Sequence, residues 1–412
     1  MTVPSANTPL PQRSALLLLA MLAGIVMFEG FDVSVTSVVL PYISRDFGAD
    51  TTSLGNALAI IAMGSIAAWV LLRMADRFGR KPLLLVSAAG FAIGSLATAW
   101  AGSVASYTAI QFVTRALLVT QIAVAYLIVS ESLPALWRGR ANGLLGAMGS
   151  FGAALPFMAI KPALDHELGW RLLFVIGASP LVLLPVLVWK LRETPVWLAA
   201  RAQGAMRSSI IAEWRALTAP GLRRPFVAMS ALWFIVNFAS ATSALFFTLY
   251  VVKERAWPAS DFALVAPFGL AGAFVGYIAA GFLADAIGRR WTMALFMASL
   301  GGLTMICYTA AGWHLIAASF IALQAMLGIW VLAYTLNSEL FPTQLRGAAN
   351  GWCNNLIGRW GVVLAPLVLS HLSAALGSIG KAAALLGIVP WLAVPLILML
   401  LPETRARNLA ID

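Results

Sequence analysis

Two carboxylates lie three residues apart inside the first long apolar run of the chain. Glu29 and Asp32 belong to the stretch MFEGFDVS at positions 27–34, and in a helix this spacing puts both on one face. A charged side chain at the centre of a bilayer costs about 2.5–3.5 kcal/mol on insertion scales. Two acids in such a place lose their protons as a coupled pair, so we predict that Glu29 and Asp32 carry protons.

Two arginines lie in later apolar runs and could bind an anion. Arg115 falls in the fourth run and Arg359 near the middle of the eleventh. An arginine stays charged and can hold a carboxylate through two parallel hydrogen bonds, which a lysine cannot do. A structural alternative is an Asp32–Arg115 ion pair that only fixes the first span against the fourth.

The charges of these four residues suggest a coupling rule. With both acids deprotonated, two positive and two negative charges cancel. One proton leaves a net positive charge, and one organic monocarboxylate returns the sum to zero. A neutral set of groups costs less to desolvate than a charged one. The sequence therefore predicts that one proton is coupled to one organic anion.

Membrane spans must position these side chains, since 61% of the 412 residues are hydrophobic and only 10% are charged. Apolar runs of about 18 or more residues are typical of transmembrane helices. The polar stretch 191–225 separates two sets of six such runs. The twelve predicted spans lie near 14–41, 52–74, 82–101, 107–130, 141–161, 170–190, 226–251, 262–284, 291–311, 314–337, 348–370 and 382–401.

The basic excess, 27 Lys and Arg against 16 Asp and Glu, follows the membrane topology. Most basic residues fall in loops on one side of the predicted spans, which places that side and both termini in the cytoplasm. We expect a monomeric multi-pass protein of the bacterial inner membrane, with no nucleic-acid partner. The cysteine and histidine spacings form no metal pattern, so neither a metal, a cofactor beyond the proton gradient nor an enzymatic activity is expected.

The two sets of spans repeat one another at an offset of 208–210 residues. The repeated polar motifs are ESLPALWRGRANG (131–143) with ELFPTQLRGAANG (339–351), ADRFGRK (75–81) with ADAIGRR (284–290), and Glu193-Thr194 with Glu403-Thr404. A parallel repeat of this kind is typical of transporters with a site near the membrane midplane. The predicted segments are a cytoplasmic tail 1–13, a six-helix bundle 14–190, a cytoplasmic loop 191–225, a six-helix bundle 226–401 and a cytoplasmic tail 402–412.

These motifs resemble those of the major facilitator superfamily. MADRFGRKPLLL (74–85) resembles its loop signature, GFLADAIGRR (281–290) is the second-half copy, and ELFPTQLRG (339–347) and PETR (402–405) are similar to motifs of its sugar and metabolite branches. The resemblance implies an all-α membrane protein with twelve transmembrane helices in two six-helix bundles. It also implies transport by alternating access, with spans 1, 4, 7 and 10 lining a central cavity.

The first span resembles one branch of that superfamily more closely. EGFDVSVTSVVLP (29–41) is similar to the first-span pattern of the aromatic acid:proton symporters. In that family two acids and a fourth-span arginine are needed for transport, and they correspond to Glu29, Asp32 and Arg115. Glu131 matches a further functional acid. Arg359, which follows the ELFPT loop, resembles an arginine of the organic-anion branch.

Polar and aromatic residues on the cavity-lining spans are the predicted substrate contacts beside the two arginines. They are Gln121, Tyr126, Asn237, Tyr334, Asn354 and Asn355. Tyr126 and Tyr334 occupy equivalent repeat positions, and the repeat maps Glu29 onto Asn237. For the two asparagines of span 11, hydrogen bonding between helices is an equal alternative.

Charged residues at the inner helix ends are predicted to form a conformational gate. Their charge pairs would lock one state and break on opening. The predicted gate residues are Asp76, Arg80 and Glu131 in the first half and Asp285, Arg289, Glu339 and Arg346 in the second. A simpler alternative is that the basic loops only set topology.

The sequence thus predicts an importer of an organic monocarboxylate, an aromatic or related metabolite acid, by proton symport. One alternative is a proton-driven exporter of drugs or metabolites that uses the same acids. Another is a transporter-like sensor, against which the small size of the 191–225 segment argues. Within that segment, AEWRALTAPGLRR (212–224) has the basic character of an interfacial helix.

Overall fold

The computed structural model describes residues 12–133, 135–202, 209–342 and 345–404, without the side chains of 12–14, 76, 135–140, 200, 259, 262 and 263. These ranges are helical and contain no strand. Twelve helical spans are long and apolar enough to cross a membrane, which confirms the predicted fold class. Spans 1 to 12 are Ala15–Asp46, Thr51–Ala75, Arg80–Thr98, Val104–Ser132, Ala141–Leu164, Arg171–Lys190, Pro220–Arg255, Leu264–Ile287, Arg289–Thr309, Trp313–Leu340, Arg346–Leu376 and Ile379–Leu400.

Several spans change their helical geometry part-way along. Three spans consist of two helices each: span 6 of Arg171–Gly177 and Pro180–Lys190, span 7 of Pro220–Ala244 and Phe247–Arg255, and span 12 of Ile379–Leu386 and Val389–Leu400. Span 10 contains a 3-10 turn at Met326–Gly328, and span 11 contains a π-helix at Gly351–Gly358. The break in span 6 precedes Pro180, which has no N–H to continue the helical ladder. A π-helix is rare and is frequently found at functional sites.

The chain divides into two compact units. The first comprises the described residues of Met1–Val39 and Gly64–Arg207, and the second those of Leu40–Met63 and Ser208–Asp412. The segment boundaries predicted from the sequence stay predictions, and much of both predicted tails lies outside the described residues. The predicted central loop contains two short helices, Pro195–Ala202 and Ile210–Leu217.

Glycines fix span 1, which carries both acids, against span 5 within the first unit. A Cβ added to Gly30 would lie 1.8 Å from the carbonyl oxygen of Gly149, and one on Gly152 would lie 1.8 Å from that of Met27. Only glycine permits two helix backbones to approach so closely. The register of span 1 is therefore set by backbone contacts on either side of Glu29.

Glycines play the same part between spans 7 and 11 of the second unit. A Cβ on Gly361 would lie 2.2 Å from the carbonyl oxygen of Phe234, and one on Gly358 would lie 2.8 Å from the Cβ of Trp233. These contacts lie on both sides of Arg359 along the chain. They hold the end of the π-helix against the stretch of span 7 that contains Asn237.

Candidate functional site

Asp32 and Arg115 form a charge pair inside the first unit. The Asp32 residue is 1% exposed, and its Oδ2 lies 3.6 Å from Nη2 of Arg115, whose side chain is 13% exposed. The same Nη2 donates a hydrogen bond of 3.4 Å to Oγ1 of Thr36. Thr36 in turn donates to the carbonyl oxygen of Asp32 at 3.2 Å. The contact named by the structural alternative, span 1 to span 4, is thus present.

The Asp32 carboxylate lacks the hydrogen bonds that usually accompany burial. Neither of its oxygens accepts one from any residue that the structure describes. A buried ionised carboxylate is costly unless both a counter-charge and hydrogen bonds compensate its lost hydration. Asp32 has the counter-charge of Arg115 but no hydrogen bond to its carboxylate from the described residues. Such a site suits a group that binds and releases a proton.

Glu29 is half-buried and faces a different helix from Asp32. Its Oε2 lies 3.7 Å from the position that a Cβ on Gly149 of span 5 would take. Asp32 instead points toward Arg115 on span 4. The two carboxylates, which the sequence places on one helix face, therefore contact different neighbouring spans.

Two further residues of span 4 that are predicted to contact the substrate lie in different surroundings. Gln121 is 1% exposed and lies seven residues after Thr114, a residue that packs against Gly94 of span 3. Its helical spacing thus places it on the stripe that faces span 3. Tyr126 packs against the apolar core of the first unit, with its hydroxyl 3.7 Å from the Cβ position of Gly146 on span 5.

An amide and aromatic cluster joins spans 7, 10 and 11 of the second unit. Nδ2 of the fully buried Asn237 donates to Oδ1 of Asn354 at 3.2 Å, and Nδ2 of Asn354 donates to the Tyr334 hydroxyl at 3.1 Å. The ring of Tyr334 meets that of Trp233 edge-on, with centroids 4.8 Å apart. The structure therefore brings three of the predicted substrate contacts into one hydrogen-bonded chain.

Two polar atoms of this cluster are buried without a hydrogen bond to the described part of the chain. Oδ1 of Asn237 and Nε1 of Trp233 have no hydrogen-bond partner among the described residues. Both residues are fully buried, and leaving such atoms unsatisfied costs about 1–3 kcal/mol each. The cluster thus offers one acceptor and one donor beside two aromatic rings.

The π-helix positions the remaining predicted residues of span 11. Asn354 lies inside Gly351–Gly358 and Arg359 directly follows it, with the Arg359 N–H donating to the Asn354 carbonyl oxygen at 2.9 Å. This bond spans five residues, one more than in an α-helix. Asn355 and Arg359 are half-buried. The wider turn shifts Arg359 relative to Asn354 from where a regular helix would place it.

A bidentate ion pair joins Arg80 and Glu131 at the ends of spans 3 and 4. Nη2 and Nε of Arg80 donate to the two carboxylate oxygens of Glu131 at 2.8 Å and 3.1 Å. The Thr194 hydroxyl donates to the same carboxylate, and the Glu193 carboxylate accepts the backbone N–H of Arg80 at 3.0 Å. Two acids thus bind one arginine, through its side chain and its backbone.

The second unit repeats this network. Arg289 Nε donates to Glu339 at 3.3 Å, the Thr404 hydroxyl donates to the same carboxylate, and Glu403 accepts the Arg289 N–H at 2.8 Å. Arg289 also pairs with the exposed Asp285 at 2.9 Å. Each of the two arginines therefore pairs with a glutamate of its own unit.

One predicted gate residue makes a contact outside these networks, and the side chain of another is not described. Nε of Arg346 donates to the carbonyl oxygen of Phe341 at 3.1 Å, so this arginine braces the backbone of its own loop. The side chain of Asp76 lies outside the described part of the chain.

Sequence reasoning missed several side chains that complete these sites. Thr36 lies one helical turn after Asp32, a spacing that could have signalled its contact. Glu193 and Glu403 were recognised as repeated residues, but their partners lie more than a hundred positions away along the chain. No cluster of His, Cys, Asp and Glu suited to a metal occurs among the described residues.

Comparison with known proteins identifies the family. The model of the Major Facilitator Superfamily matches residues 22–366. The chain belongs to this superfamily. It is a transporter with twelve membrane-spanning helices and, with bacterial transporters among its relatives, a multi-pass protein of the bacterial inner membrane.

Individual relatives carry aromatic acids. A niacin transporter of Acinetobacter baylyi is 23% identical over 418 residues, which cover 93% of each chain. A gallate transporter of Pseudomonas putida is 26% identical over 84% of this chain and 82% of its own. The solved structure of the xylose transporter of Escherichia coli covers 96% of this chain and 98% of its own at a TM-score of 0.75, and at 19% identity it bears on the fold alone.

Proposed function

We propose that this transporter imports an aromatic monocarboxylate together with a proton. The observation that carries the proposal is the buried Asp32–Arg115 pair, a carboxylate with a counter-charge at 3.6 Å and no hydrogen bond from a described residue. Two relatives are named as transporters of niacin and of gallate, and in both compounds the carboxyl group is attached to an aromatic ring. A carboxylate on a flat ring is the chemistry that these substrates share.

In this mechanism Asp32 and the substrate compete for Arg115. Protonation of Asp32 removes its negative charge and weakens its hold on the guanidinium. The arginine can then bind a substrate carboxylate through two parallel hydrogen bonds. When Asp32 loses its proton again, it recovers Arg115 and the substrate leaves. Glu29, half-buried on the same helix, is the proposed partner in this proton exchange.

The cluster of the second unit is itself proposed to contact an aromatic ring. Tyr334, which is 45% exposed, offers an aromatic ring, and stacking on it adds about 0.5–1.5 kcal/mol beyond area burial. Asn237 and Trp233 offer the unpaired acceptor and donor described above. Arg359 is the second cation of the proposed scheme, and Asn355 and Tyr126 are proposed as further contacts.

The two arginine networks are proposed to act as the conformational gate. In this proposal the pairs Arg80–Glu131 and Arg289–Glu339 lock one state and break on opening. Glu193 and Glu403 hold the backbone of each loop in place. Asp76, Asp285 and Arg346 complete the proposed gate. Both termini are proposed to be cytoplasmic and the functional unit a monomer, driven by the proton gradient without a nucleic-acid partner.

External pH in lightly buffered, energy-depleted cells tests the proposal. Aromatic, hydroxylated and aliphatic carboxylates are added one at a time, followed by lipophilic cations. Symport predicts that particular aromatic acids promptly make the external medium more alkaline. This response should be lost in Arg359→Ala. It should be kept in the control Arg192→Gln, which changes an exposed arginine. Acidification on addition, or a response only to cations, would establish proton-driven export in its place.

A further inference from the structure

The short helix Ile210–Leu217 leaves apolar side chains partly exposed. Its Glu213 and Leu217 are buried, whereas Ile211 is 61% and Trp214 43% exposed. Ser209 caps the helix by accepting the Ile211 N–H at 3.3 Å. A helix that exposes isoleucine and tryptophan next to a membrane span is typical of one that lies in the lipid interface.

An apolar groove of about 560 Å³ runs from this helix along span 7 to span 11. Its walls include Trp214, Phe226, Val227, Phe234, Ile235 and Ile357. Ser230 also lines it and is 6% exposed.

One cationic side chain lies beside the groove, and a second lies on the short helix. Arg223 lines the adjoining cavity together with Trp214 and Phe226 and is exposed, as is Arg215 on the short helix. The neighbouring Arg224 is already engaged, since it donates to the carbonyl oxygen of Met399 at 3.0 Å. An apolar groove with exposed cations near it complements a molecule with an anionic head and an apolar tail.

We propose that this groove binds one anionic membrane phospholipid. An acyl chain lies along Phe226, Phe234 and Ile357, and the phosphodiester of the headgroup lies between Arg223 and Arg215. Basic pockets beside transmembrane helices are where anionic headgroups bind. This site lies within the second unit and does not depend on the identity of the transported substrate.

The short helix is joined to the π-helix of span 11, which forms part of the same wall. The rings of Trp214 and Trp352 lie 5.0 Å apart, and Nε1 of Trp352 donates to the Glu213 carboxylate at 3.3 Å. Trp352 belongs to the π-helix Gly351–Gly358, as does Ile357. The groove is therefore a packed feature of the second unit.

Quenching of tryptophan fluorescence tests the site in the full-length protein. The protein is placed in phosphatidylcholine vesicles that contain a small fraction of either brominated phosphatidylglycerol or brominated phosphatidylcholine. The difference between the wild type and Trp214→Phe isolates the signal of Trp214. We expect brominated phosphatidylglycerol to quench this signal at a concentration about fivefold lower than brominated phosphatidylcholine does.

Charge variants decide whether the groove is responsible. Arg223→Gln, compared with and without Trp214→Phe, should remove the preference for the anionic lipid, and Arg215→Gln should reduce it. The control Arg192→Gln removes an exposed arginine of the first unit and should leave the preference intact. Equal quenching by both lipids in the wild type, or a preference that survives Arg223→Gln, would overturn the proposal.

Discussion

Arg115 and Asp32 face each other across 3.6 Å between spans 4 and 1, while the guanidinium Nη2 donates a hydrogen bond to Thr36. The pair is held by charge, with no hydrogen bond to the carboxylate from any described residue. Such a pair can separate without breaking a hydrogen bond of its own. This property suits an arginine that alternates between an internal acid and a substrate anion.

Replacing Arg115 by lysine tests whether substrate binding needs the geometry of the guanidinium in addition to its positive charge. The lysine keeps the positive charge but cannot form two parallel hydrogen bonds with a carboxylate. Loss of one charge-assisted hydrogen bond, about 1.5 kcal/mol or more, raises KM about tenfold or more. Initial uptake rates over a range of substrate concentrations measure this change. An unchanged KM would mean that Arg115 does not bind the substrate.

The Tyr334 hydroxyl should influence substrate binding through Asn354. Tyr334→Phe removes the acceptor of the Asn354 amide, a loss of about 1 kcal/mol that raises KM about fivefold. Tyr308→Phe is the matched control, because that hydroxyl donates to the carbonyl oxygen of Ser243. The KM for uptake is measured in both variants. Equal KM values would mean that the Tyr334 hydroxyl does not contribute to substrate binding.

Gly79 should not tolerate a side chain. Its φ of +105° is rarely adopted by L-residues, and a Cβ there would lie 2.2 Å from Oε2 of Glu193. Gly79→Ala should therefore destabilise the folded protein by about 1–3 kcal/mol, seen as a lower thermal unfolding temperature in detergent. Gly302→Ala, where a Cβ has nothing within 4 Å, should be neutral or stabilising. Similar unfolding temperatures for the two variants would contradict this account.

Asp50, in the loop before span 2, should contribute stability that depends on pH. A hydrogen bond from the Ser53 side chain and one from its backbone N–H lower the pKa of Asp50 below its ordinary value. A lowered pKa in the folded state gives stability that is present above the ordinary aspartate pKa and is lost as pH falls through the lowered value. Carboxyl NMR titration should show the Asp50 pKa rising toward its ordinary value in Ser53→Ala. An unchanged pKa in that variant would exclude the Ser53 side-chain hydrogen bond as a cause, since alanine keeps the backbone N–H.

The twelve spans could be predicted because length and apolar character decide them. A run of about twenty apolar residues has few alternatives to a transmembrane helix, and a repeat of polar motifs identifies the two halves. The π-helix at Gly351–Gly358 was not predicted. It accompanies close packing of Gly358 and Gly361 against span 7, and no local pattern of residue types encodes such a contact.

The candidate site was predictable in its residue types and less so in its contacts. An acid or arginine in a transmembrane span is recognisable in the sequence as a candidate functional residue, because inserting its charge into the bilayer is costly. Which partner it meets depends on helix rotation, and Glu29 and Asp32 accordingly contact different spans. The roles of these residues in transport stay predictions.

Asp32→Asn in proteoliposomes tests the central claim most directly. The amide keeps the shape of the side chain but cannot carry the proton, and Asp165→Asn, on an exposed carboxylate paired with Lys161, is the matched control. We predict that Asp32→Asn abolishes accumulation of a labelled aromatic acid driven by a pH gradient and preserves its exchange against unlabelled acid. Accumulation at the wild-type level in Asp32→Asn would contradict the account.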